Sequence, residues 1–224
     1  MSKVQLITSS NLAVWRIAWI ARVSTTPLDK DIVSVINGGV FATPEEHEKD
    51  VKLCKHLYTA GHWSVFEHCS LTYLLECSRA CSLQLARHRH ISRTEMSQRY
   101  TKIGGENNDW YVTPPECENS LQFCNQMENA ANVYNSLINL GYKREDARFL
   151  LPEATKTRMF ITLNLRTLLE LTQKRACDPR AQWEIKELVR KMWHDIPSEL
   201  KEIFRPELKW LDDKKNDRVT PRDE

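Results

Sequence analysis

The sequence predicts an α+β fold, and three observations point to it. Helical patterns outnumber strand patterns, the strands do not alternate regularly with the helices, and no repeat or linker divides the 224 residues. Regular alternation would instead indicate a doubly wound parallel sheet. We therefore expect one domain over residues 1–211. A charged tail at 212–224 lacks apolar anchors and is predicted to be disordered.

Hydrophobic periodicity and capping residues predict the elements of the first half of the chain. The clearest helix start is Thr43-Pro44-Glu45-Glu46, which combines a threonine cap, a first-turn proline and a glutamate three residues after the cap. Residues 25–42 are long for a connection and are predicted to be a lid or a weakly ordered loop. The predicted elements are a strand at 4–7, a helix at 11–22 capped by Ser9 or Ser10, a helix at 43–60, a turn at 61–68, a strand at 69–76 and a buried helix at 79–86.

The second half of the chain is predicted to be mainly helical. Pro114-Pro115 closes a short strand, because proline lacks the N–H group that a sheet needs. Gly141 and Pro152 each end a helix. The predicted elements are strands at 109–112 and 157–163 and helices at 119–140, 144–151, 164–174, 181–193 and 198–211.

Composition and charge narrow the classes of function. The net charge is +2, so the chain lacks the general basic field of a nucleic-acid-binding protein, and no apolar run reaches the length of a membrane span. The seven cysteines are irregularly spaced without a signal peptide, which predicts reduced thiols in a cytoplasmic protein. Cys77-x3-Cys81 before His88-x-His90 lacks zinc-finger spacing, so no metal site is predicted.

The stretch from Arg87 to Tyr100 is dense in groups that bind phosphate and polar rings. It reads Arg-His-Arg-His-Ile-Ser-Arg-Thr-Glu-Met-Ser-Gln-Arg-Tyr. A solvated basic loop is the usual reading of an arginine run, but Glu95 and Ser97 interrupt the charge and an apolar segment leads into it. These features favour a site for a small anion. In an extended conformation one face would carry Arg87, Arg89, Arg93, Glu95, Ser97 and Arg99.

Four further polar groups have both a functional and a structural interpretation. In the structural interpretation each group has only a local role: the first as turn residues, the second as a helix-end ion pair, the third as a helix cap and the fourth as a loop. No such interpretation explains all of them together with the Arg-rich stretch. We therefore expect multi-phosphate pockets built from side chains, since the sequence has no glycine-rich phosphate loop. The four groups are His62 with Ser64, Glu67 and His68; Arg148; Asn164 with Arg166; and the segment 175–183.

Arg87-His88-Arg89, followed after seven residues by Ser97, resembles the RHR-x7-S signature of flavin-dependent thymidylate synthases. The chain is similar to that family from about residue 20 to 195, also through Ala21-Arg22-Val23-Ser24 and the four groups above. The resemblance implies a homotetramer with active sites shared between subunits. It also implies a single catalytic domain with a central, mainly antiparallel sheet flanked by long helices.

The resemblance further implies reductive methylation of dUMP to dTMP. The carbon donor would be 5,10-methylenetetrahydrofolate, and FAD reduced by NADPH would supply the hydride. The residues expected to contact FAD are Ser24, His62, Ser64, Glu67, Arg87, His88, Arg89, Glu95, Asn164 and Arg166. Those expected to contact dUMP are Gln84, Arg87, Glu95, Met96, Ser97, Gln98, Arg99, Arg148 and Arg175, with Arg175 in the catalytic role.

The chemistry at carbon 5 of uracil has two routes. A cysteine thiolate can add at carbon 6, or a guanidinium group beside N3 and O4 can stabilise negative charge on the ring. The absence of cysteine from the Arg-rich stretch favours the second route, although Cys177 lies two residues from Arg175.

The sequence departs from the family pattern at Thr94, Glu170 and an insertion at Asp178-Pro179, and carries Arg180 where some members have histidine.

Two other functions fit the same residues. The pocket could serve a flavin- and folate-dependent hydroxymethylation of a pyrimidine nucleotide, which the mass of the product distinguishes from methylation. Alternatively, the Arg-rich stretch could belong to a nucleotide- or RNA-binding module. Such a module would be colourless, would not turn over folate, and would bind RNA with an affinity that falls steeply with salt.

Overall fold

The computed structural model describes residues 2–31, 43–104 and 109–208. The strands are β1 (Lys3–Ser9), β2 (Ser70–Ser78), β3 (Ser92–Glu95) and β4 (Lys156–Asn164). The helices are α1 (Val14–Arg22), α2 (Pro44–Thr59), α3 (Arg79–Ala86), α4 (Leu121–Asn139), α5 (Arg144–Ala147), α6 (Leu165–Leu171), α7 (Trp183–His194) and α8 (Ser198–Leu208). Shorter turns are the 3₁₀ segments Trp63–His68, Pro115–Cys117 and Arg148–Leu150 and the π segment Thr172–Ala176.

The four strands form one sheet in the order β1-β2-β4-β3. Strands β2 and β4 are antiparallel, since Leu165 N–H donates to the Cys69 carbonyl at one end and Arg79 N–H to the Thr155 carbonyl at the other, at 2.7 and 2.9 Å. Alternate residues of both strands are buried, as expected for strands with one face against a core. The predicted α+β fold with a mainly antiparallel sheet is confirmed.

Capping residues explain where three of the helices begin. Thr43 and Glu46 form the predicted capping box of α2: Thr43 Oγ1 accepts from Glu46 N–H at 3.3 Å, and a Glu46 carboxylate oxygen accepts from Thr43 N–H at 2.8 Å. Asn164 caps α6 by accepting from Thr167 N–H at 2.8 Å. Ser78 caps α3 by accepting from the N–H of Cys81 at 3.1 Å. The caps of α2 and α6 follow from local sequence alone.

Proline residues account for two differences from the predicted elements. The expected strand at 109–112 is reduced to one antiparallel bridge between Tyr111 and Thr155, because the prolines at 114 and 115 cannot continue the pairing. The expected helix at 144–151 changes after Ala147 into the 3₁₀ turn. Leu151, which precedes Pro152, is extended, as a residue before proline prefers to be.

The Arg-rich stretch is extended only over β3. His90 has a φ of 64°, in the left-handed region, and turns the chain between α3 and β3. The single polar face expected from a fully extended stretch is therefore not formed. The predicted loop at 25–42 lies largely outside the described residues, and the tail at 212–224 lies wholly outside them.

The chain divides into two compact units, each with its own core. The first comprises Met1–Gln5 and Leu74–Ile161, and its core includes Ile103, Trp110 and Tyr134. The second comprises Leu6–Tyr73 and Thr162–Glu224, and Tyr58 and Phe66 pack edge-on against Phe204 in it, at 4.9 and 5.3 Å between ring centroids. The single domain over 1–211 stays a prediction. Within the described residues no helix is both long enough and apolar enough to cross a bilayer.

Glu76 of β2 pairs with cations from two other strands. Its carboxylate lies 3.0 Å from Lys3 Nζ and 2.5 Å from Arg158 Nη2. The hydrogen bond from Lys3 is the main cause that lowers the pKa of Glu76, and the same bond raises the pKa of Lys3. Because the folded state has the lower carboxyl pKa, the stabilisation is present above the ordinary glutamate pKa of about 4.3 and is lost as pH falls below it.

We expect Glu76→Gln to lower the free energy of unfolding at pH 7 by about 1 kcal/mol or less, because both cations are largely exposed. The difference from the wild type should shrink towards pH 3, as the carboxyl group of the wild type becomes protonated. Urea denaturation at the two pH values measures it. Glu48→Gln, which removes an exposed pair with Lys52, is the matched control. An undiminished difference at pH 3 would contradict the linkage.

Candidate active site

In the first unit, Glu95 accepts hydrogen bonds from two other elements. Its Oε1 accepts from Arg79 Nη1, from Ser82 Oγ at 2.9 Å and from Thr157 Oγ1 at 2.9 Å. Its Oε2 lies 3.5 Å from Arg93 Nη1, and the side chain is only 13% exposed. We call these five residues the Glu95 cluster. They fix the orientation of the carboxylate by contacts from α3, β3 and β4.

A cavity of about 370 Å³ lies beside this cluster in the first unit. Its polar lining consists of Arg79, Gln98, Arg148 and Glu153, and its remaining lining residues are Phe149, Leu151 and Pro152. Two guanidinium groups and one amide against one carboxylate favour an anionic ligand. Gln98 and Arg148 belong to the predicted substrate-binding set, whereas Arg79 does not. Its only local signal is its position directly after the cap of a buried helix.

Two of the predicted substrate residues, Arg99 and Arg148, contact Glu145 of α5. Arg99 Nη2 lies 2.6 Å from a carboxylate oxygen of Glu145, and Arg148 Nε donates to the Glu145 carbonyl at 3.2 Å. Ser97 Oγ accepts from Arg99 N–H at 3.3 Å. The ion pair between Arg99 and Glu145 therefore ties the segment 97–99 to α5.

The other predicted site residues of the first unit surround the end of α3 and the end of β3. Arg87 is the C-cap residue of α3, and both it and Arg89 are exposed. His88 is half-buried, and its N–H donates to the Leu85 carbonyl at 3.0 Å. Gln84 and Met96 are also half-buried, and Met96 packs against the core of this unit. Exposed guanidinium groups at 87 and 89 suit an anionic ligand.

In the second unit, Arg166 of α6 donates hydrogen bonds to two glutamates, one in the 3₁₀ turn Trp63–His68 and one in α6 itself. Its Nη1 donates to Glu67 Oε1 at 2.6 Å, and its Nε donates to Glu170 Oε1 at 3.1 Å. The hydrogen bond with Glu67 is the main cause that raises the pKa of Arg166. Arg166 follows the cap residue Asn164, so α6 and the 3₁₀ turn of Glu67 are held together at this point.

The remaining cofactor candidates of the second unit carry exposed polar groups. His62 is the residue before the 3₁₀ turn, and Ser64 lies within it; both are exposed. Ser24 follows α1, and its hydroxyl donates to the Ala21 carbonyl at 2.9 Å. The preceding Arg22 is paired with the buried carboxylate of Asp50 at 2.5 Å, which anchors the end of α1.

Arg175 lies in the π segment that continues α6. The wide turn is closed by Cys177 N–H, which donates to the Thr172 carbonyl at 3.0 Å. Single π turns within helices are frequently found at functional sites. Arg180 is exposed, and its Nε donates to Asp178 at 3.2 Å within the inserted loop. Of these two arginines, only Arg175 belongs to the π turn, so Arg175 remains the better candidate.

Burial disfavours the thiolate form of Cys54, Cys69 and Cys177. All seven thiols are free, and four of them are buried. Burial raises the pKa of Cys177, and it raises the pKa of Cys54 to about 12. Among the described residues, no group of three or more His, Cys, Asp or Glu side chains is placed to hold a metal ion.

Comparison with known proteins places the chain in a family. A profile of the family described as thymidylate synthase complementing protein matches residues 5–200. The flavin-dependent thymidylate synthase of Pyrococcus furiosus is 39% identical over 172 residues, which cover 73% of this chain and 68% of that protein. The enzyme of the same name from Halobacterium salinarum is 34% identical over 198 residues, covering 76% and 77% of the two chains.

A solved structure supports the same fold. The UMP/dUMP methylase PolB from Streptomyces cacaoi, bound with 5-Br dUMP, aligns with a TM-score of 0.74 and 24% identity over 92% of this chain and 95% of that one. At this level of identity the match concerns the fold alone. The profile match and the identity to the relatives show that the chain belongs to the family of flavin-dependent thymidylate synthases.

Proposed function

We propose that the protein methylates dUMP reductively to dTMP, with 5,10-methylenetetrahydrofolate as carbon donor, FAD as the bound flavin and NADPH as reductant. Membership of the family supports the flavin-dependent reaction. The observation that carries the proposal is that Gln98 and Arg148, assigned to the substrate from sequence signatures, line the same cavity beside the Glu95 cluster. An anionic nucleotide suits a cavity with that lining.

The substrate-binding residues of the first unit would hold dUMP by charge and by hydrogen bonds. Arg148 and Gln98 supply donors in the cavity, and Ser97 and Arg99 flank Gln98 in the chain. A guanidinium fork matches phosphate oxygens in pairs, so arginine suits this task better than lysine. Arg87 and Glu95 would orient the base from the neighbouring end of α3 and β3.

The second unit carries donors and acceptors of the kinds that FAD requires. Arg166 offers charged donors for the pyrophosphate, Asn164 an amide, and His62, Ser64 and Ser24 exposed polar groups. The residues present therefore fit the cofactor in chemical type. When bound, the flavin supplies the hydride that completes the methyl group. The protein's own residues orient the two nucleotides and balance their charge.

Arg175 would act on the pyrimidine ring. Its guanidinium group, placed beside N3 and O4 of uracil, stabilises negative charge on the ring, so that electron density reaches carbon 5. Arginine stays protonated near neutral pH, so it stabilises the anion without accepting its proton. The raised pKa of Cys177 supports this route over a thiolate addition at carbon 6.

Cys177→Ala should therefore retain most of the activity. Its thiol is half-buried and its pKa is raised, so little thiolate is present at neutral pH. Initial rates of dTMP formation at saturating dUMP and folate measure the effect, with Cys124→Ala, also a half-buried cysteine, as the control. If Cys177→Ala alone abolishes turnover, a thiolate route replaces the proposed one.

We also propose that the protein is a cytoplasmic homotetramer with active sites shared between subunits. Several large apolar side chains of the first unit are exposed on the segment around α5, which supports an interface between subunits. They are Leu140, Tyr142, Phe149 and Leu150. The free thiols support a reducing compartment. Light scattering of the flavin-loaded protein at several concentrations tests the tetramer.

The proposed reaction is tested by the product itself. Flavin-loaded protein, dUMP, methylenetetrahydrofolate and NADPH should yield a nucleotide with the mass of dTMP. Omission of NADPH or folate should stop the reaction. A hydroxymethylated nucleotide would instead support the alternative enzyme, and protein that FAD cannot reconstitute to a visible flavin spectrum would overturn the proposal.

A further inference from the structure

We propose that Arg79 is a further substrate-binding residue, which contacts the phosphate group of the nucleotide in the cavity it shares with Arg148. Glu95 sets the orientation of its guanidinium group. The inference rests on the proposed function and adds to it a residue outside the RHR-x7-S signature.

The backbone of Arg79 is fixed against the wall of this cavity. Its N–H donates to the Thr155 carbonyl at 2.9 Å, and the next N–H, of Ala80, donates to the Glu153 carbonyl at 3.1 Å. Ser78 caps the helix that begins at Arg79. The side chain therefore starts from a rigid point that is bonded to the same segment as the lining residue Glu153.

The side chain of Arg79 is held at one end and lines the cavity. Its Nη1 donates to Glu95 Oε1, an oxygen that also accepts from Ser82 and Thr157. A guanidinium group carries five N–H donors in one plane, so it can donate to a carboxylate and to a second anion at once. The side chain is 31% exposed, in keeping with its place in the cavity lining.

The charges of the lining favour phosphate over a neutral ring. Arg79 and Arg148 bring two positive charges, Glu153 brings one negative charge, and Gln98 brings an amide. Without Arg79 the remaining charges of the lining, on Arg148 and Glu153, would cancel. Arg79, held by Glu95 outside the lining, therefore supplies the surplus positive charge that faces the cavity.

A purely structural role for Arg79 is the competing explanation, and Arg93 provides the matched control. Arg93 Nη1 also contacts the carboxylate of Glu95, at 3.5 Å, and its side chain is 33% exposed. Unlike Arg79, it is not among the residues that line the cavity. If Arg79 only anchored Glu95, the Arg79 and Arg93 variants could differ in stability, but neither would weaken the binding of dUMP more than that of deoxyuridine.

The test compares binding of dUMP and of deoxyuridine, which lacks the phosphate, to flavin-loaded protein by calorimetry. Arg79→Met should raise the Kd for dUMP by about tenfold to a hundredfold, the loss expected for a charge-assisted hydrogen bond. The Kd for deoxyuridine should change less than about threefold, and Arg93→Met should change the Kd values of the two ligands by the same factor, within about threefold of each other. Thermal unfolding confirms that each variant is folded.

Equal losses for the two ligands, or an unchanged Kd for dUMP, would overturn the role of Arg79. If Arg79→Met does not fold, Arg79→Lys provides the test. Lysine keeps the positive charge, but its ammonium group cannot donate to two anions in one fixed plane. We expect it to weaken dUMP about fivefold or more and deoxyuridine hardly at all. Wild-type protein that binds no dUMP would contradict the proposed function itself. The failure of the proposed function is thus distinguishable from the failure of the role of Arg79.

Discussion

Replacement of Arg175 by alanine is expected to abolish dTMP formation, with kcat falling by about 10²–10³-fold. The guanidinium group is the charge proposed to stabilise the uracil anion, and the interaction grows as negative charge develops on the ring. Flavin binding should survive, since the predicted cofactor residues lie elsewhere in the chain. Initial rates measure the loss, and the visible absorption spectrum of the flavin checks that the variant still holds its cofactor.

Arg180→Ala is the matched control for this prediction. Arg180 is exposed and paired with Asp178 two residues away, so its loss should leave kcat within about threefold of the wild type. Comparison of the two variants thus distinguishes a catalytic arginine in the π turn from one in the inserted loop. If Arg175→Ala retained its activity while Arg180→Ala lost it, the catalytic role would belong to Arg180 and the insertion would have moved the site.

The second large effect is expected at Glu95. Glu95→Ala removes an acceptor of three hydrogen bonds and leaves the partly buried Arg79 and Arg93 without its charge. We expect the free energy of unfolding to fall by about 2–3 kcal/mol, less than for a fully buried pair because both arginines are about one-third exposed. Affinity for dUMP should fall with it.

Chemical denaturation and calorimetry measure these two losses. Glu145→Ala serves as the control for stability, since its carboxylate pairs with the half-exposed Arg99 and should contribute less than about 1 kcal/mol. A Glu95 variant no less stable than the Glu145 variant would show that the cluster is only a surface ion pair.

Local sequence was enough to predict the elements whose causes are local. The capping box at Thr43 and the cap at Asn164 depend on residues within one helical turn, and both are found in the structure. The strand expected at 109–112 is reduced to a bridge by the prolines that follow it, and its partner, more than forty residues away, cannot be identified from local sequence. The π turn around Arg175 has no local signal of its own.

The candidate site divides in the same way. Gln98 and Arg148 are predicted as substrate residues from the resemblance, and the structure places both in the lining of one cavity. Arg79 lines the same cavity but is not predicted from sequence, because its contact with Glu95 depends on the position of α3 beside the sheet. The pairing of Arg166 with Glu67 joins residues almost one hundred positions apart, which periodicity cannot reveal. The contacts proposed for FAD and dUMP themselves stay predictions.

The most direct test of the account is tritium release from dUMP labelled at carbon 5. Transfer of a carbon unit to that position must expel its hydrogen, so release should accompany dTMP formation and should require flavin-loaded protein and methylenetetrahydrofolate. The account predicts release that is lost in Arg175→Ala and kept in Cys177→Ala. No release from the complete mixture, or release lost in Cys177→Ala and kept in Arg175→Ala, would contradict it.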